Sequence, residues 1–127
     1  MPRTEIRAFR DVDGTVPILQ WLQRLWITEP RARGKCVARI VELSEFGYEM
    51  RRPQADTLRD GIHELRASVA GKNYRILYFF HGKNAVTLSH GVLKERRVPP
   101  REIDLAIARM RLVRNDPDQY TADFTLP

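Results

Sequence analysis

At 127 residues the chain is long enough for one domain with a real core and too short for two. Hydrophobic residues make up 43% and charged ones 30%, which excludes an intrinsically disordered chain. The net charge is +6, and only Lys35, Lys72, Lys83 and Lys94 are lysines among 22 basic residues. Arginine grips phosphates bidentately and stacks on bases, so this surplus points to RNA or an acidic protein as partner.

The one cysteine, Cys36, excludes a disulfide framework and fits a reducing cytoplasm. Within a helix it reads as a small packed hydrophobe. The first twenty residues lack the apolar core of a signal peptide, and no run reaches membrane-spanning length. There is no internal repeat, Gly-rich phosphate loop or metal-ligand spacing.

Residues 4–10 alternate through Ile6 and Ala8 and predict a short first strand at a sheet edge. Thr15 can cap a helix with Pro17 in its first turn. Ile18, Trp21, Leu22, Leu25 and Trp26 then mark one apolar stripe, and Pro30 ends it. A second helix is expected from about Arg31 to Phe46. Cys36, Val37, Ile40, Val41 and Leu43 form its apolar side, and Gly47 is its C-cap. The two make an antiparallel hairpin. Tyr48 to Asp60 reads as a polar surface connection.

Residues 62–67, 73–80 and 85–93 then predict three strands. The turns at 70–73 and 81–84 carry Gly and Asn, which tolerate positive φ. The middle run, YRILYFF, suits a central strand buried on both faces. Arg66 and Arg75 interrupt these strands. A guanidinium there is costly to bury unless it meets an anion, so the two hint at a phosphate-binding surface. Pro99 and Pro100 open a third helix packed through Ile103, Ile107, Met110 and Val113, and residues 115–127 read as a loosely held tail. The order is β-α-α-β-β-β-α: an α+β domain over 1–114. Its helical hairpin packs on one face of an antiparallel sheet, whose other face lacks a layer.

Several segments together carry a family resemblance. They are Asp60-Gly61-Ile62-His63-Glu64-Leu65-Arg66, Tyr74-Arg75-Ile76-Leu77-Tyr78-Phe79, Leu88-Ser89-His90-Gly91-Val92-Leu93-Lys94, and Pro99 with Glu102-Ile103 and Ala106. In this order the chain resembles the RelE/HigB-type toxins of bacterial type II toxin–antitoxin pairs, in their phage-derived HigB-like branch. The resemblance implies a RelE-like fold and a ribosome-dependent endoribonuclease that cuts translated mRNA with neither metal nor cofactor. The RNA 2′-hydroxyl is the nucleophile. It also implies a helix-turn-helix antitoxin as partner, contact with operator DNA only through that complex, and no membrane.

By match to the family pattern, Arg66 and Arg75 would hold the scissile phosphate. Lys94 would be the next cation or a base, and His90 a general acid or base. Arg51, Arg52, Arg96 and Arg97 would contact ribosomal RNA. Each has a plainer alternative. Arg66 could pair with Glu64, Lys94 could be a solvated strand-end lysine, and His90 shares strand parity with Val86 and Leu88 and could be packed. A bulge at Gly91 would reset that parity. Tyr78 reads as core, and no motif supports a catalytic role for Tyr120. His63 and His81 receive no role. A toxin of the same fold that binds a protein such as DNA gyrase, in the style of ParE, is the competing function. A non-catalytic RNA- or partner-binding module is the third.

Overall fold

In the computed structural model, residues 3–93 and 96–125 are described. The chain order is β1 (Glu5–Phe9), α1 (Pro17–Thr28), α2 (Pro30–Phe46), a short 3-10 turn (Gly47–Glu49), β2 (Ala55–Arg59), β3 (Ile62–Val69), β4 (Lys72–His81), β5 (Ala85–Leu93), α3 (Pro100–Asn115), α4 (Pro117–Tyr120) and β6 (Thr121–Asp123). Six strands form one sheet in the order β2-β3-β4-β5-β1-β6. No helix among the described residues is long and apolar enough to cross a membrane.

The α+β class and the helical hairpin agree with the sequence reading, and the arrangement is consistent with a RelE-like single domain. The three-strand meander falls where expected. Ala70 and Gly71, both at positive φ, close the turn between paired Val69 and Lys72. Four expectations are corrected. The sheet is mixed, because β1 runs parallel to β5. β1 is interior, because β6 pairs antiparallel with it, so the 115–127 tail is tied to the sheet through Thr121–Asp123. The 48–60 connection contains a strand, β2, joined to β3 through Asp60 and Gly61, again both at positive φ. The second sheet face does carry a layer, supplied by α3.

Strand periodicity explains the two cores. Leu65, Ala67, Tyr74, Ile76, Val86 and Leu88 face the hairpin, where Ile18, Leu22, Cys36, Ile40 and Leu43 cover them. Phe9, Ile62, Leu77, Phe79 and Val92 face the opposite way and meet Ile103, Ala106, Ile107, Met110 and Val113 of α3.

Details differ from the pattern. Val16, not Thr15, is the N-cap of α1; Thr15 instead donates twice to Asp13 Oδ1, at 2.9 and 2.7 Å. Trp26 and Val41 fall outside the buried stripes and are exposed. The Arg33 guanidinium lies over the Trp26 ring, 4.3 Å from its centroid. The bulge in β5 is at Ser89, not Gly91: Leu77 pairs with His90 and Tyr78 with Leu88, which leaves Ser89 as the extra residue. Gly91 has another reason to be glycine, since an added Cβ there would overlap the Trp21 indole.

Candidate functional site

β3 and β4 set Arg66 and Arg75 directly opposite each other, on the α3 side of the sheet but past the helix. Like charges so placed repel. Glu64, two residues before Arg66 and therefore on the same face, lies between them with no exposed surface. Its Oε1 accepts from Arg66 Nε at 2.6 Å, and Arg75 Nη1 donates to both carboxylate oxygens at 3.2 Å.

The chain of charges continues through β2. Asp56 is the register partner of Glu64. Its Oδ2 accepts from Arg66 Nη2 at 3.0 Å and meets Arg52 Nη2 at 2.9 Å. The Arg52 hydrogen bond is the main reason the Asp56 carboxyl is held below its ordinary value. Arg52, Asp56, Arg66, Glu64 and Arg75 thus alternate in sign. At the far end, Arg75 Nη2 donates to the backbone carbonyl of Arg96. A buried carboxylate that cannot leave its partners fixes the planes of both central guanidinium groups.

This chain floors a cleft of about 770 Å³, walled by Arg59, Arg96, Arg97 and the start of α3. An adjoining hollow of about 490 Å³ shares Arg66, Arg75, Arg96 and Arg97 and adds Lys35 and Arg39. Among the described residues, eight cations and two carboxylates line the two. With low-dielectric walls, such a cleft focuses positive potential and draws in a polyanion. Its fixed donors suit phosphoryl oxygens.

The structure therefore brings Arg66, Arg75, Arg52, Arg96 and Arg97 together. Arg51 is exposed nearby and donates through Nη1 to the Tyr48 carbonyl. Lys94 lies outside the described residues. His90 is on the same sheet face, because the Ser89 bulge reverses its parity, but it does not line the cleft. It is buried, with Nδ1 2.7 Å from Ser89 Oγ and Nε2 3.6 Å from Glu102 Oε1. Burial, and then the Arg109 charge, push its pKa down to about 4, so its ring is neutral at pH 7. Burial raises the Cys36 thiol to about 12, as a packed hydrophobe requires. Tyr78 is core, and Tyr120 stacks on Phe9 with ring centroids 6.2 Å apart.

The sequence offers Glu64 as the plainer partner for Arg66, and that pairing is present. Asp56 was missed altogether, because the strand that carries it was read as a connection.

Residues 21–111 match the family model described as phage derived protein Gp49-like (DUF891). The chain belongs to this family. It is a toxin-like family, associated with the toxins of toxin–antitoxin pairs. The match runs from within α1 to most of α3 and so takes in every residue of the Gp49-like cleft. A search of curated proteins finds no match to the chain.

Proposed function

We propose that this Gp49-like chain is the toxin of a type II pair, of the RelE/HigB kind. On this reading it cuts messenger RNA on the ribosome at the Arg66–Arg75 cleft. The observation behind it is the pair of opposed arginines locked by a buried carboxylate, inside a cleft with a large cationic excess. In-line attack of the 2′-hydroxyl forms the 2′-O–P bond and breaks the P–5′-O bond, giving a cyclic 2′,3′-phosphate and a free 5′-hydroxyl. Negative charge grows on the non-bridging oxygens during that step. Guanidinium groups already held in place stabilise it without reorganising.

The proton of the 2′-hydroxyl needs an acceptor and the leaving oxygen a donor. His90, neutral and outside the cleft lining, is poorly placed for either. Lys94 remains the sequence's choice for the base. A helix-turn-helix antitoxin encoded alongside would neutralise the protein.

Pulse labelling after induction of the protein in cells tests this reading. Methionine incorporation should stop within minutes while thymidine incorporation continues. Thymidine incorporation falling first would indicate a target in DNA metabolism, such as gyrase.

A further inference from the structure

On the opposite sheet face, at the β2 edge, a second hollow of about 560 Å³ has a different character. Its wall is aromatic. Tyr48 stacks on Phe80 with ring centroids 3.8 Å apart and planes 15° from parallel. His63 stacks on Tyr78 at 5.3 Å and meets Phe80 edge-on at 5.2 Å. Tyr48 is 57% exposed, so one side of its ring is covered by Phe80 while much of the residue is left to solvent. Arg51 and Arg52 line the same hollow.

The 3-10 turn at Gly47–Glu49 carries Tyr48 and leaves it exposed over Phe80. Arg52 and Asp56 line both this hollow and the arginine cleft, so the two adjoin around the β2 edge. The Asp56 charge facing a strand here is offset by the guanidinium groups of Arg52 and Arg66. A flat exposed aromatic beside the Arg51 and Arg52 guanidinium groups, one held on the Tyr48 carbonyl and the other on Asp56, adjoins the cationic cleft and has the makeup of a single-strand stacking platform. An acidic peptide would match the charge but not the flat ring.

We propose that the Tyr48 ring is a base-stacking subsite, which takes an unpaired nucleobase of the same RNA strand whose phosphate lies at Arg66 and Arg75, with Arg51 and Arg52 holding the backbone between them. The subsite rests on the RNA-cutting reading and adds to it a means of gripping the strand beside the cut. At about 560 Å³ the hollow has room for a nucleotide.

Fluorescence anisotropy with a labelled eight-nucleotide RNA at low salt tests it. Wild type, Tyr48→Leu, Tyr48→Trp and Arg75→Lys are compared, each against the intact RNA and a series with one abasic site moved along it. Tyr48→Leu keeps an apolar cover over Phe80 and should weaken binding about tenfold, whereas Tyr48→Trp should not. One abasic position should cost wild type the same factor and cost Tyr48→Leu nothing further. Equal binding by Tyr48→Leu and wild type, with Arg75→Lys weakened, would overturn the subsite and leave the cleft standing. No RNA binding by wild type would overturn the subsite, and ribosome-dependent cutting would still be decided by primer extension.

Discussion

Arg66 and Arg75 face each other across two antiparallel strands, and a carboxylate with no exposed surface, Glu64, separates their charges. Removing that carboxylate leaves two opposed cations, one of them Arg75 with a side chain only 12% exposed. Glu64→Ala should therefore lower stability by about 3 kcal/mol, read from urea denaturation. Asp56→Ala, at the more solvated end of the chain, should lose about 1 kcal/mol. Equal losses would mean that Glu64 is not the organising group.

Arg75→Lys keeps the charge beside Glu64 but gives up the planar fork. The protein should fold, with an unfolding midpoint near wild type, and lose about a hundredfold in RNA-cutting rate. A folded Arg75→Lys protein with wild-type activity would remove this residue from the site.

His90 is buried neutral against Glu102 and Arg109, with a folded pKa near 4 against 6.5 when unfolded. The unfolded chain therefore binds the extra proton between those values. The stability due to neutral burial is complete above pH 6.5 and declines as pH falls towards 4, by up to about 3 kcal/mol. His63, whose pKa burial also lowers, adds to the same trend. His90→Gln cannot charge, and its thermal midpoint should fall less than that of wild type between pH 7 and 4.5. Parallel falls would contradict the burial of a neutral ring.

Gly91 and Trp21 are coupled by contact, since a side-chain carbon at 91 has no room beside the indole. Gly91→Ala should destabilise by about 2 kcal/mol, and most of that should vanish in a Trp21→Leu background. Additive losses in a double-mutant cycle would show that the glycine serves another purpose.

The Cys36 thiol, held near 12 by burial in the hairpin core, should resist iodoacetamide at pH 8 for hours in the native protein. It should react within minutes in urea. Fast native alkylation would mean that the α2 face opens.

The meander was legible because alternation and positive-φ turns are local signals. The helix stripes were legible for the same reason, but the α3 stripe at Ile103, Ile107 and Met110 was not carried through to the second sheet face that it covers. β2 was hidden because Ala55–Arg59 is short and polar, although Asp60-Gly61 just after it is a hairpin signal. With β2 went Asp56 and half of the charge chain. β6 was hidden because three residues, Thr121-Ala122-Asp123, are too few to show alternation and form a strand only where β1 offers an edge. The face of His90 turned on one extra residue, Ser89, and a bulge is set by the partner strand rather than by the bulged sequence. Arg66 and Arg75 stood out because a charge within an apolar strand needs a partner, but which anion supplies it is a tertiary matter.

The most direct test is primer extension on a reporter mRNA incubated with purified protein, with and without translating ribosomes. Wild type should cut within the reading frame only when ribosomes translate, and Arg75→Lys should leave the message intact. A wild-type protein that arrests growth yet leaves the message uncut under both conditions would contradict cleavage at the Arg66–Arg75 cleft.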